Sequence, residues 1–337
     1  MKIFTKNEYS ELKSMIVGNI DFANWPIGDT YFDAMMDSST YEGTIKKGPI
    51  PKEIKDVAKK DLDMLVEKLV NNNVKVFRPL KKNWELEYKK FEKITTGMHS
   101  YSTRDLLLTV GSKVIECPTP YISRQHEFMA FENIKKQAIK DGCQWLSAPL
   151  PAMDQDDFEI VGDKVTLTED FPIFDAANVL KFNDKLLYLV SCTGNYKGAE
   201  WLQSIVGNEF EVITWDGVYS HAHIDSTIVS LNHDTILLNG SRVKENNIPK
   251  FLKDKKKIWI NDLVPRKFHE FPYASKWIGF NIISINPETV VVDTIQKDMI
   301  EILNNEGFNV INTPMHESRT LGGGFHCVTL DLERVNE

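Results

Sequence analysis

The 337-residue sequence has only four cysteines, Cys117, Cys143, Cys192 and Cys327, and no two of them form a C-x-x-C pair. Nothing in their spacing suggests a disulfide framework, which fits a reducing compartment. No apolar run reaches the length needed to span a bilayer. The N-terminal MKIFTKNEYSELKSMIVGN lacks the apolar core and cleavage pattern of a signal peptide. A cytoplasmic location is therefore the expectation. Basic residues are also short: 40 Lys and Arg stand against 48 Asp and Glu, a net charge of -8, and no basic block stands out. Nucleic acid and anionic membrane surfaces are thereby disfavoured as partners. A cationic small substrate, drawn to an acidic cavity, is not. Metal-site patterns are missing too. Asp154-Gln-Asp-Asp157 is dense in carboxylates, but it has neither His nor EF-hand spacing and reads as a solvated loop.

What remains is a globular composition, 42% hydrophobic and 26% charged, in a chain long enough to bury a sizeable core. Its length suits one large domain or two ordinary ones. One local pattern recurs five times: a helical segment, a polar or glycine turn, then a short strand. Ile54 to Leu69 carries an apolar face at Ile54, Ala58, Leu62, Leu65 and Leu69, breaks at Asn71 to Asn73, and leads into Val74 to Phe77. The same grammar follows at Phe131 to Leu146, Ala199 to Thr214, Ile248 to Ile260 and Thr294 to Ile311.

After each unit a polar residue opens a β-hairpin. Asp105 precedes a hairpin turning at Gly111-Ser112, and Asp175 and Asn178 precede one turning at Asn183-Asp184. His223 and Asp225 open one that turns at Asn232 to Asp234, and Asn281 one that turns at Asn286-Pro287. The fifth piece starts at His326-Cys327 and has a single strand before the chain ends, so Ser14 to Val17 is expected to supply its partner. Parallel doubly wound sheets do not repeat tight hairpins, whereas a closed radial array does. In such an array the hairpin openings converge, and Asp105, Asp175, His223, Asp225 and Cys327 would meet.

Cys327 ends the run Leu321-Gly-Gly-Gly-Phe-His-Cys327. A lone cysteine after a flexible turn can be a buried structural thiol or a nucleophile. The company decides. A His supplies a proton donor and acceptor near neutral pH, and an Asp bonded to it fixes its tautomer and favours its cation. Two further carboxylates would raise the thiol's pKa, which suits neither an anionic nor an ester substrate. They suit a guanidinium, whose forked donors match carboxylates and whose charge lowers the thiol's pKa again. Attack of a thiolate on a guanidinium carbon is the chemistry suggested. Strand alternation would point the neighbouring His326 away from Cys327 and give it a structural role. By the same geometry His221 would share a face with His223. Asp105 has a plainer alternative, pairing with Arg104 or capping a turn. The remaining cysteines read as core.

The chain resembles the arginine amidinotransferases, the glycine and inosamine-phosphate amidinotransferases among them. The blocks that carry the resemblance are Thr103 to Gly111, Phe174 to Ala177, His223-Ile-Asp-Ser-Thr227, Ser275-Lys-Trp277 and Leu321 to Cys327, and it extends from Ser14 to Leu332. It implies an α/β fold, a five-bladed α/β propeller of ββαβ modules (the pentein type), as a single domain over residues 1–337. It implies Cys327 as the nucleophile that takes the amidino group from L-arginine and releases L-ornithine. His223 is implied as acid and base, Asp175 as its partner, and Asp105 and Asp225 as the guanidinium-holding carboxylates. Arg242 is implied as the contact for the substrate's α-carboxylate, with Ser275 nearby. No metal or organic cofactor is implied. The partners are arginine and a primary amine, and a homodimer is compatible with the family.

The walls depart from the pattern. Tyr219-Ser-His-Ala222 replaces the Asn-Pro-Met of animal glycine amidinotransferases, His99-Ser-Tyr101 alters an aromatic-containing stretch, Asn178 replaces an Asp, and Ala274 replaces a Ser. The donor is thereby better defined than the acceptor, for which glycine, lysine or an amino sugar are all open. A deiminase-type hydrolase yielding citrulline shares the same catalytic set, and a silent arginine binder is the rival from outside enzymes. The three glycines before Phe325 are expected to thin the backbone beside the substrate.

Overall fold

A computed structural model of the protein describes residues 1–37, 44–90 and 92–335. It contains five three-stranded sheets of one design. In four of them a hairpin pairs antiparallel and its second strand takes a parallel third strand from beyond a crossover. The hairpins are Leu107–Val110 with Lys113–Glu116, Val179–Phe182 with Lys185–Leu189, Ile228–Ser230 with Thr235–Asn239, and Ile283–Asn286 with Thr289–Asp293. The third strands are Gln144–Ser147, Glu211–Trp215, Lys256–Ile260 and Asn309–Thr313. The fifth sheet joins the two ends of the chain. Thr329–Arg334 pairs antiparallel with Leu12–Val17, which takes Lys75–Phe77 in parallel.

The crossover helices form where the apolar spacing places them. Lys52–Asn71 buries Ile54, Ala58, Leu62, Leu65 and Leu69 on one face, the stripe expected of a helix packed on a sheet. Shorter helices at Glu132–Lys140, Tyr196–Val206 and Lys297–Asn305 do the same for three other units. In the remaining unit the expected helix shrinks to the 3-10 turn Lys250–Leu252 behind Pro249. A five-residue segment crowded by proline cannot recover the cost of nucleating an α-helix.

Each of the four internal hairpins is entered through a short turn that carries the polar residue. Asp105 ends the 3-10 turn Thr103–Asp105, Asp175 immediately precedes Ala176–Asn178, and Asn281 follows Lys276–Phe280. Main-chain hydrogen bonds join entries of different sheets: Ile224 N–H to the Ala177 carbonyl at 3.1 Å, Phe325 N–H to Asn281 at 3.0 Å, and Arg104 N–H to Cys327 at 3.0 Å. Beneath them lies a buried ionic cluster. Arg104 donates to Asp331 at 2.8 Å and to Glu8 at 3.4 Å, Lys181 reaches Glu8 at 3.0 Å, and Arg334 donates to Asp331 at 2.7 Å. Charges this deep require such pairing to be tolerated at all.

Two expectations are corrected. His326-Cys327 does not begin a strand: Phe325 to Val328 is a turn, and the strand starts at Thr329. The stretch from His221 to Asp225 is irregular rather than extended, with His223 at φ 68°. Side-chain alternation along a strand therefore applies to neither pair.

Candidate active site

The hairpin entries meet at a cavity of about 200 Å³. Asp105, His223, Asp225, Ser275 and Cys327 all line it. Asp175 stands directly behind, fully buried, and His223 Nε2 meets its Oδ2 at 2.9 Å. The other imidazole nitrogen, Nδ1, lies 3.7 Å from Asp105 Oδ1. Left-handed backbone is uncommon outside glycine. Here it turns the ring so that one carboxylate faces each nitrogen. Burial alone would depress the His223 pKa, but Asp105 and Asp175 more than reverse this and hold it up at about 9.

Cys327 is 2% exposed, and its thiol donates to Asp225 Oδ2 at 3.3 Å. Asn281 clasps the same residue twice. Its Nδ2 donates to Cys327 Sγ at 3.3 Å, and its Oδ1 accepts from the Cys327 N–H at 3.0 Å. Burial pushes the thiol's pKa well above its ordinary value, and the carboxylates of Asp225 and Asp105 push it further. Asp225 goes the other way. Burial works against its charge, yet the hydrogen bond from His326 Nδ1 at 3.1 Å and the nearby His223 hold its pKa at about 2.

His326, expected to face away from the site, thus bonds the same carboxylate as Cys327, and its Nε2 faces Glu8 at 3.6 Å. The turn geometry lets two successive side chains converge where a strand would separate them. Asp105 does not pair with Arg104. It pairs with Arg124 Nη1, and Arg124 also grips both oxygens of Glu127 and donates to the Ser102 carbonyl at 2.9 Å. Nothing in the sequence marks Arg124, and Asn281 is marked there only as a hairpin entry, the position that holds Asp105 and Asp175 in other sheets.

Two predicted contacts lie at the margin. Ser275 caps Lys276–Phe280 by accepting the Trp277 N–H at 3.2 Å, on the cavity wall. Arg242 stands one layer back. Its guanidinium carbon sits 3.4 Å from the ring centroid of Tyr219, a cavity residue, and its Nη1 donates to the Ser226 hydroxyl at 2.7 Å. Of the three glycines, Gly322 lines the cavity at φ 73°. The other two are thin for protein neighbours rather than for a ligand. A Cβ on Gly324 would come within 2.6 Å of Asn281 Cβ, and one on Gly323 within 2.9 Å of Ser102 Oγ.

One ligating atom from each of Asp105, His223 and Cys327 falls within 4.8 Å of the others. Such a trio could ligate a soft divalent metal ion. It also frames a space for a planar carbon centre flanked by thiol, imidazole and carboxylate. Asp154 to Asp157 sits elsewhere, in an exposed capped turn. Among the described residues no helix is long and apolar enough to cross a membrane.

A thiol, an imidazole between two carboxylates and a third carboxylate are gathered from separate hairpin entries of an α/β fold around one cavity. No family model matches the chain, but individual relatives do. It is 38% identical over 335 residues to inosamine-phosphate amidinotransferase 1 of Streptomyces griseus, covering 98% of this chain and 96% of that one. It is 29% identical to the L-arginine:L-lysine amidinotransferase of Pseudomonas savastanoi pv. phaseolicola, covering 97% and 93%. The solved structure of the Streptomyces griseus enzyme superposes with a TM-score of 0.95, covering 99% and 97% of the two chains. A DDAH from Pseudomonas aeruginosa, 14% identical, shares the fold alone at a TM-score of 0.62, covering 95% and 99%. The chain belongs to the amidinotransferase family and has its α/β pentein fold; it is an enzyme that transfers amidino groups.

Proposed function

We propose that this enzyme takes the amidino group of L-arginine onto Cys327, releases L-ornithine, and passes the group to a primary amine. The observation that carries the reading is the position of Cys327 Sγ, 3.3 Å from Asp225 and within 4.8 Å of His223 and Asp105. In the empty site those carboxylates keep the thiol protonated. A bound guanidinium, bidentate to Asp105 and Asp225, cancels their field and favours the thiolate. The nucleophile is thus armed by its own substrate.

The steps balance as follows. The thiol proton leaves to solvent as the guanidinium binds, the thiolate attacks the guanidinium carbon and a C–S bond forms. The bond from that carbon to the arginine side-chain nitrogen breaks, and His223 Nδ1 delivers the proton that lets ornithine leave as the amine. Asp175, on Nε2, stabilises the imidazolium beforehand and keeps the ring oriented. The acceptor amine then loses a proton to His223 and attacks the amidino carbon. The C–S bond breaks, and the thiolate is restored. Arg242 and Ser275 are assigned to the amino-acid end of arginine, Arg242 by leaving its seat on Tyr219.

We also infer that the five sheets stand around one axis as a five-bladed propeller, a single domain over residues 1–337. The main-chain bonds between hairpin entries, and the sheet that joins the two chain ends, support this. The four thiols are all free, which suits the cytoplasm. Incubation with arginine, with and without candidate amines, tests the function by assay of ornithine, citrulline and guanidino products. Ornithine with an amine-dependent guanidino product is expected. Citrulline formed without any amine would overturn transfer in favour of hydrolysis.

A further inference from the structure

One group on the cavity wall takes no part in the chemistry above. His99 is 2% exposed yet borders the cavity beside Met98, Tyr121 and Arg124. Its position is fixed from behind. Its main-chain N–H donates to Glu127 Oε1 at 3.1 Å, and its ring meets Tyr101 edge-on, with centroids 5.9 Å apart at 73°. Tyr101 is itself held, with its hydroxyl 3.4 Å from both the Gly323 carbonyl and Met315 Sδ. Among the described residues, neither ring nitrogen of His99 has a hydrogen-bond partner in another residue.

A buried polar atom without a partner costs about 1–3 kcal/mol, and native structures leave few of them. A buried ring at the edge of a cavity, with no hydrogen-bond partner in another described residue, marks a place where a ligand completes the bonding. The ring's protonation state narrows the ligand. Burial, aided by the Arg124 guanidinium, pulls the His99 pKa down to about 3. A neutral imidazole offers one donor and one acceptor.

We propose that His99 recognises a hydroxyl group on the amine acceptor. The inference rests on the amidino-transfer reading and names the chemistry of its second substrate. A hydroxyl both donates and accepts, so it can serve either nitrogen, and a vicinal pair serves both. A carboxylate only accepts and can meet only the N–H, and an ammonium only donates and can meet only the bare nitrogen, whereas a hydroxyl can meet whichever nitrogen faces it. The donor's guanidinium has donors alone and is matched to Asp105 and Asp225. Phe32, Met98 and Tyr121, on the same cavity, offer apolar surface to the carbon skeleton that carries the hydroxyl. His99 also falls in the His99-Ser-Tyr101 stretch, where the chain departs from the animal glycine enzymes.

The test compares paired acceptors within one protein. The full-length enzyme, with arginine as donor, is given ω-amino alcohols of two to five carbons. Each is set against the alkylamine in which a methyl replaces the hydroxyl. Wild type is expected to favour the alcohol by roughly tenfold or more in kcat/KM at one chain length, a factor equal to about 1.4 kcal/mol. His99→Phe is expected to erase that ratio, and His99→Gln, which keeps a donor and an acceptor, to retain part of it. Because the readout is a ratio, a lower overall rate in a variant does not mask it. Exchange of label from ornithine into arginine needs no acceptor and reports the first half-reaction alone. Exchange without any hydroxyl preference in wild type, or with the same preference in His99→Phe, overturns the role of His99 and leaves amidino transfer standing. No exchange in wild type overturns the transfer reading, and the inference with it.

Discussion

Cys327 Sγ and His326 Nδ1, side chains of consecutive residues, both bond Oδ2 of Asp225, at 3.3 Å and 3.1 Å. The carboxylate is therefore shared between the thiol and the imidazole. In the absence of substrate it holds the proton on sulfur, and His326 keeps the carboxylate ionised.

This arrangement makes Asp225→Asn a two-edged change. Burial and the Asp225 charge raise the Cys327 pKa together; removing the charge leaves burial and Asp105. The midpoint of iodoacetamide alkylation of Cys327, followed against pH by mass spectrometry, is expected to move to lower pH in the variant. Arginine binding is expected to weaken by about 2–4 kcal/mol, roughly 30- to 1000-fold in Kd. A thiol that titrates unchanged in Asp225→Asn would contradict the assigned electrostatics.

Cys327→Ser keeps the size of the side chain and loses the soft nucleophile. Turnover is expected to fall by about 10⁴-fold or more, while calorimetry still detects arginine. In the wild type, acid quenching with arginine alone is expected to trap a Cys327 peptide heavier by one amidino group. A variant that turns over within tenfold of wild type would rule out attack by this sulfur.

Much of the candidate site is legible in the chain itself. The hairpin entries were visible because turn chemistry and strand alternation are local, and five entries, each with a polar residue, pointed to convergence. The partner strand expected at Ser14 to Val17, which runs Leu12–Val17 in the structure, follows from an unfinished fifth unit. What stayed hidden was set by contacts distant in sequence. Arg124 is an ordinary arginine in sequence and matters only because it folds onto Asp105 and Glu127. The orientation of His326 departs from the expectation because the chain turns where strand alternation would have pointed it away. The glycines at 323 and 324 looked like room for substrate, and the room they make is filled by Ser102 and Asn281.

Arg124 offers a test of how Asp105, the carboxylate proposed to hold the guanidinium, is held. It binds Asp105, both Glu127 oxygens and the Ser102 carbonyl with one planar fork, and it is buried. An ammonium cannot satisfy four acceptors set in that plane. Arg124→Lys is expected to lower stability by about 1–3 kcal/mol, read as a drop in Tm. It should also raise KM for arginine more than it lowers kcat, since Asp105 loses its brace while Cys327 and His223 remain. An unchanged KM beside a lowered Tm would confine Arg124 to the fold.

The imidazole of His223 ties catalysis and stability to the same titration. Its folded pKa of about 9 lies above the ordinary value of about 6.5. The folded state therefore binds the proton more tightly than the unfolded state does. The resulting stabilisation is fully present below about pH 6.5 and is lost as pH rises through about 9. The thermal midpoint of the ligand-free enzyme is expected to fall across that window, and the fall to be smaller in His223→Gln, which cannot titrate. The alkaline limb of kcat/KM for arginine should break near the same pH, because the departing amine needs the proton on Nδ1. Asp175→Asn removes one of the charges that hold the pKa up, so both features should move towards neutrality together. If only the kinetic limb moved, the group limiting the rate at high pH would be other than His223.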